Sequence, residues 1–144
     1  MKTLIKTKEG YHKKTTWTYV DSACEHLVEE LQKDDFIPDL IIGISPDGAI
    51  PGALIAQKLA IPRYYASPVD QVANVLSNAI TKKCLIVDAT MDEQSWSFEN
   101  NRNVFWSNIN YRTAAINFYA HFEPKPDYFA AIVRQDVEVS YPWK

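Results

Sequence analysis

The fold turns on one stretch, "KKCLIVDATMDEQSWSF", Lys82 to Phe98. Cys84 to Val87 is a continuous apolar run, the pattern of a strand buried on both faces. Asp88 ends the run, and Asp92 follows four residues on. Polar residues then lead to Trp96. A buried strand that ends in acids and opens into a loop is where open α/β sheets place ligand chemistry. The stretch has no glycine, the residue that would let its backbone close around a phosphate.

Upstream, "DLIIGISPDGAIPGALIAQKLAIP", Asp39 to Pro62, repeats the theme. Leu40 to Ile44 is a second buried-strand run, followed by a Gly-containing loop and an Ala- and Leu-rich helix. Before it, "TYVDSACEHLVEELQKDD" places Val20, Ala23, Leu27, Val28 and Leu31 at helical spacing, with Asp21 or Ser22 as N-cap. "RYYAS" reads as a short strand, and residues 68–80 as one helix. Downstream, Phe98, Phe105, Trp106 and Ile109 predict an amphipathic helix over Ser97–Ile109. "RTAAINFYAHF" is a third strand, "EPKPDYF" a Pro-rich loop and "VEVSYPW" a closing strand. Strands alternating with helices predict an α/β fold: an open, mainly parallel sheet with helices on both faces.

The chain has 144 residues, the size of a single domain spanning 1–144. Apolar residues make up 47% and charged residues 23%, as in ordinary globular proteins. A formal charge of −3 argues against nucleic-acid binding by bulk electrostatics. The only basic cluster near the start, His12 to Lys14, reads as a solvated turn or tail. Cys24 and Cys84 read as buried free thiols. Neither a secretory signal nor an 18-residue apolar run is present, so the expectation is a cytoplasmic protein with no membrane partner. An aromatic content of 12% suggests interface anchors and a homodimer.

In this order and spacing, the elements from about Trp17 to Trp143 resemble the type I phosphoribosyltransferases, most nearly the branch that salvages xanthine, guanine or hypoxanthine. The segment at Asp39–Pro62 resembles that family's first strand-loop-helix unit, whose loop reads Ser-Arg-Gly-Gly. "CLIVDATMDE" resembles its phosphoribosyl pyrophosphate motif: apolar strand, two acids, two spacers, Asp-Thr-Gly, any residue, Thr. "AINFYAHFEPKPDYF" and "SYPW" resemble its closing strands and a small C-terminal hood. The resemblance implies catalytic roles for Asp88 and Asp92. It makes Asp88 the ligand of Mg²⁺, the cofactor of an active enzyme. Ser45, Asp47 and Gly48 would form the pyrophosphate loop, and Glu93, Gln94 and Ser95 the phosphate loop. His121, Asp127 and Tyr128 would read the base, with His121 in the place of a lysine.

Both loops depart from the family pattern. Pro46 removes a donor N–H and Asp47 brings negative charge to a would-be anion site. Ala89 replaces the second acid. Glu93, Gln94, Ser95 and Trp96 replace Thr-Gly-any-Thr, so a like charge and a bulky ring stand where hydroxyls and a glycine would hold the phosphate. Glu138, or Val137 with a shift of one, falls where an aromatic would stack on the base, unless Tyr141 or Trp143 serves. Asp88 and Asp92 also have a structural reading as helix caps, and the four tryptophans as packing residues.

The reading is therefore a diverged phosphoribosyltransferase-like protein with lost or strongly reduced transfer, keeping a purine, nucleotide or partner site. The alternative is an active purine phosphoribosyltransferase with atypical loops. Under either, Asp88 and Asp92 should share one cleft with the loop at Pro46–Gly48.

Overall fold

A computed structural model describes residues 3–7, 10–101 and 109–144, with side chains over 10–97 and 109–144. The chain runs β1 (Thr3–Thr7), β2 (Gly10–Lys14), α1 (Trp17–Lys33), β3 (Leu40–Ser45), α2 (Ala49–Leu59) and β4 (Tyr64–Pro68). It continues with a 3₁₀ turn (Val69–Gln71), α3 (Val72–Asn78), β5 (Lys83–Met91) and a 3₁₀ helix (Gln94–Asn101). β6 (Asn110–Tyr119), β7 (Tyr128–Val133) and β8 (Val137–Ser140) close it.

Strands β4-β3-β5-β6-β7 form one sheet in which every neighbouring pair is parallel. The two apolar runs become its centre, because both faces of β3 and β5 are covered. Ile41, Leu85, Val87 and Ala89 point to one face and pack with α1 and α2 through Val20, Leu27, Leu31 and Ile55. Leu40, Ile42, Ile44, Cys84 and Ile86 point to the other and pack with α3 through Val72, Ala73 and Leu76. The fold is thus α/β with helices on both faces, as the strand-helix alternation predicts. Both cysteines are buried and free.

Gly48 sets how the β3–α2 loop meets β5. A side chain there would bring its Cβ to 2.4 Å from the Val87 carbonyl oxygen and 2.8 Å from the Asp88 Cα. These are backbone atoms, so only glycine allows the approach. The first loop is thereby pressed against the residue at which the apolar run of β5 ends.

Several expectations need correction. The hood is built from both chain ends: β2 pairs antiparallel with β1 and parallel with β8. His12 to Lys14 is part of this sheet, and Lys13 is buried. Its Nζ donates to the Tyr19 hydroxyl at 2.9 Å and the Asn117 Oδ1 at 2.6 Å, which makes burial tolerable. Helix α1 starts earlier than the acids suggest: Thr16, in extended backbone, caps it by accepting from the Tyr19 N–H at 3.1 Å. The Pro-rich segment ends sooner than expected, since Tyr128 and Phe129 already belong to β7. Residues 68–80 hold a 3₁₀ turn and a seven-residue helix in place of one helix. The helix expected over Ser97–Ile109 begins as 3₁₀ structure, and its centre lies outside the described residues.

Candidate functional site

Parallel strands bring their carboxyl ends to one side of the sheet, and a cleft of about 250 Å³ opens there. Its floor is Ile44 and Ser45 of β3 with Asp88 and Thr90 of β5. Pro46 and Asp47 supply one rim, and Asp92, Gln94 and Ser95 another. Tyr119 of β6, Glu138 and Val139 of β8 and Tyr141 close it from the hood side. The structure therefore brings Asp88 and Asp92 into one cleft beside the Pro46–Gly48 loop.

Asp88 is 9% exposed. Its Oδ1 accepts from the Ala89 N–H at 2.7 Å and its Oδ2 from the Ser95 hydroxyl at 2.7 Å. Burial pushes its carboxyl up to about 7. The two hydrogen bonds oppose the rise, and the charges of Asp92 and Asp47 add to it.

Asp92 and Ser95 cap each other. The Ser95 N–H donates to Asp92 Oδ1 at 3.2 Å, and the Asp92 N–H donates to the Ser95 hydroxyl at 3.1 Å. This is the reciprocal logic of a capping box. It engages the Asp92 and Ser95 N–H groups within the loop. Ser95 is buried and spends its hydroxyl proton on Asp88. Trp96, in the place of a threonine, packs against Met91, Ala115 and Phe118. Glu93 is exposed and faces a shallow neighbouring depression with Trp96, Ser97 and Phe122.

The first loop is likewise satisfied from within. The Gly48 N–H donates to the Ile44 carbonyl at 2.7 Å and the Ala49 N–H to the Pro46 carbonyl at 3.4 Å. Pro46 has no N–H to offer. Asp47 anchors the C-terminal segment: the Trp143 indole N–H donates to its Oδ1 at 3.2 Å, and Lys144 Nζ lies 3.0 Å from its Oδ2.

Charge is the cleft's clearest property. Asp47, Asp88, Asp92 and Glu138 line it, and none of its lining residues is Lys, Arg or His. Tyr119 feels the same field: burial raises its hydroxyl pKa first, then the charges of Asp92 and Glu138.

The expected base-reading residues lie elsewhere. His121 is exposed in the turn after β6, against Tyr119 and Phe122, and is not among the cleft residues. Asp127 and Tyr128 sit toward the amino end of the sheet. Asp127 Oδ2 accepts from the Thr113 N–H at 2.9 Å, and Thr113 pairs with Ile86, two residues before Asp88. Tyr128 donates to Asp34 at 2.9 Å, at the end of α1. Both residues therefore join structural elements. At the hood, Glu138 lines the cleft while Val137 is buried.

Sequence reasoning missed a polar hub. The Tyr141 hydroxyl donates to the Ala89 carbonyl at 2.9 Å and accepts from Asn117 Nδ2 at 3.0 Å. It also bonds the Thr90 hydroxyl. Its ring stacks on Trp143 at 4.8 Å, nearly parallel. The one available signal was Asn117, an amide inside the apolar run of β6.

Asp88 and Asp92 are the side chains that could take part in holding a Mg²⁺ ion, which commonly binds through one or two carboxylates together with substrate phosphates and water. Among the described residues, no three His, Cys, Asp or Glu side chains converge on one point. Asp88 is buried and already accepts two hydrogen bonds, whereas Mg²⁺ demands ionised oxygens in near-octahedral array. Among the described residues, no helix is long and apolar enough to cross a membrane.

Solved structures share this architecture. The purine phosphoribosyltransferase from Pyrococcus horikoshii superimposes with a TM-score of 0.69 over 92% of this chain and 94% of its own, at 19% identity. The xanthine-guanine-hypoxanthine phosphoribosyltransferase of Helicobacter pylori gives 0.76 over 93% and 92%, at 13% identity. A hypothetical protein from Neisseria gonorrhoeae, solved with bound ppGpp, gives 0.65 over 91% and 89%, at 19% identity. No family model and no curated protein matches the sequence. The fold is that of the purine phosphoribosyltransferases of type I.

Proposed function

We propose that this chain is a diverged phosphoribosyltransferase-fold protein that has lost most or all phosphoribosyl transfer and keeps the old cleft as a small-molecule binding site. The observation that supports this reading is the lining: Asp47, Asp88, Asp92 and Glu138 border the cleft, with no Lys, Arg or His among its lining residues. At an effective dielectric of about 20, two like charges 4 Å apart repel by roughly 4 kcal/mol, an upper figure for an open cleft. The hydrogen-bond pattern points the same way. The Ser95 hydroxyl and the Asp92, Ser95, Gly48 and Ala49 N–H groups are engaged within the protein. Loss of a single preorganised donor typically costs about 10²–10³ in rate.

Asp88 and Asp92 remain the acids of the cleft, with roles in ligand binding and loop geometry in place of catalysis. Ser45, Asp47 and Gln94 border the same space. The protein is proposed to pair as a homodimer through exposed large residues such as Tyr65 and Ile80, which border one depression. Sedimentation that shows only monomer at high concentration would remove that part.

The test of function is release of pyrophosphate from phosphoribosyl pyrophosphate with hypoxanthine, guanine or xanthine and added Mg²⁺. No turnover above background is expected. Turnover at ordinary enzyme rates, on the order of 1–10³ per second, overturns the reading.

A further inference from the structure

We infer that two copies of this chain meet at the β4 edge of the sheet, with Ile80 of each copy seated in the groove between β4 and α3 of the other. The inference rests on the proposed homodimer and names the face, the knob and the hollow that make it.

The groove follows from the topology. Among the described residues, β4 pairs only with β3 and forms one edge of the five-stranded sheet. Tyr65 is in register with Ile42, so it points to the face that α3 covers. That helix is seven residues long, and its buried residues Val72, Ala73 and Leu76 pack on β3 and β5. The outer strand is left uncovered. A groove of about 720 Å³ remains, with Tyr65 on the β4 side, Asn74, Val75 and Asn78 on the α3 side, and Ala79 and Ile80 beyond the helix.

Ile80 has the form of a knob. It is 92% exposed, more than any other large apolar residue described. Its backbone is nonetheless held, because the Arg63 guanidinium donates to its carbonyl at 2.6 Å. A side chain that projects from a held backbone loses little freedom on docking. Ile37 stands two positions before Asp39, whose carboxylate accepts from Thr81 and lies 3.7 Å from Arg63. Three of the five exposed large apolar residues described, Ile37, Tyr65 and Ile80, thus gather at one side of the fold. Apolar residues scattered singly need no partner, whereas a gathered set marks an association surface.

Charge and symmetry decide the occupant. Arg63 is the one charged residue lining the groove, and Asp39 meets its charge. The strand itself, Tyr-Tyr-Ala-Ser-Pro, carries no charge that would turn a like surface away. A strongly charged partner, acidic or basic, finds no excess of opposite charge here. A second copy does find its match. Its patch is equally neutral, and the part-exposed Arg63 and Asp39 at the rim offer both signs to a partner related by a two-fold axis. Knob and hollow lie on the same surface, as an isologous pair requires, so each Ile80 enters the other copy's groove and the assembly closes at two.

The experiment is sedimentation of the full chain over a range of concentrations. Ile80→Asp and Tyr65→Ser are the test variants, and Ile132→Asp, on the opposite edge strand β7, is the control. All three residues are exposed, so each variant should fold as the native chain does, checked by circular dichroism. The native chain is expected to dimerise. Ile80→Asp puts an unpaired carboxylate into each groove and should raise the dissociation constant of the dimer about a hundredfold or more. Tyr65→Ser should raise it about tenfold, and Ile132→Asp should leave it unchanged.

A dimer that survives Ile80→Asp and Tyr65→Ser undiminished overturns the inference and leaves the homodimer standing on another face. Dissociation by Ile132→Asp in place of Ile80→Asp also overturns it and moves the face to β7. A native chain that stays monomeric at high concentration overturns the inference and the homodimer together. Failure of the lost-transfer reading has its own readout, turnover in the pyrophosphate assay.

Discussion

Replacing Asp88 with asparagine separates the acid's electrostatic cost from its place in the structure. The carboxyl is raised from an ordinary value of 3.8 to about 7, with burial as the first cause. Between those values the folded protein holds a proton that the unfolded chain has released. Stability therefore falls as pH rises through this window, and the full cost persists above it. A separation of about three pH units corresponds to about 4 kcal/mol in all, of which the span from pH 5 to pH 7 supplies about 2–3. Asparagine carries no charge to desolvate. Its Oδ1 still accepts from the Ala89 N–H, and its Nδ2 can donate to the Ser95 hydroxyl, which then turns its proton to Asp92 Oδ1, now 3.3 Å away. Urea unfolding of native and Asp88→Asn chains at pH 5 and pH 8 measures the difference. The variant's advantage should grow by about 2–3 kcal/mol between the two, and exceed the native stability clearly at pH 8. A gap that stays constant or shrinks with pH refutes the assignment of a desolvated acid.

Three more substitutions probe the same region. Ser95→Ala removes the donor to Asp88 and the cap partner of Asp92, so it should cost about 1–3 kcal/mol and move the stability-pH midpoint upward, read from denaturation at several pH values. Gly48→Ala drives a Cβ into the Val87 carbonyl and the Asp88 Cα, and should cost about 1–3 kcal/mol in thermal or chemical unfolding. Ala89→Asp restores the missing acid of the family motif. Ala89 is wholly buried against the α1 and α2 layer, so the change should destabilise by about 3 kcal/mol or more without creating transfer activity.

What the sequence disclosed was what local pattern controls. The runs Leu40–Ile44 and Cys84–Val87 are apolar because both their faces are covered, so they announced the central strands, their parallel pairing and the cleft at their ends. Asp88 was legible because an acid that ends such a run sits at the sheet's edge. The mutual cap of Asp92 and Ser95 was open to reading only in part. Spacing allows the cap, but the burial of the serine comes from its docking on β5, where its hydroxyl donates to Asp88. Lys13 shows the limit best. Three basic or ionisable residues in a row read as solvated surface, yet β8 and Asn117, more than a hundred positions away, bury the middle one. Asp127 and Tyr128 lie away from the cleft for a related reason. A motif match assigned them to a base, while strand register carried them to the amino end of the sheet.

The pairing of β2 with β8 has a consequence for how the protein comes into being. Roughly 120 residues separate the two strands, and a ribosome adding about 5–20 residues per second takes roughly 6–25 seconds to make them. During that interval the hairpin of β1 and β2 has no partner for its second edge, and Lys13 has no Asn117 to accept its hydrogen bond until β6 emerges. An open strand edge is a template for wrong pairing. The nascent chain thus carries an open strand edge from β2 onward and closes it only with its last strand.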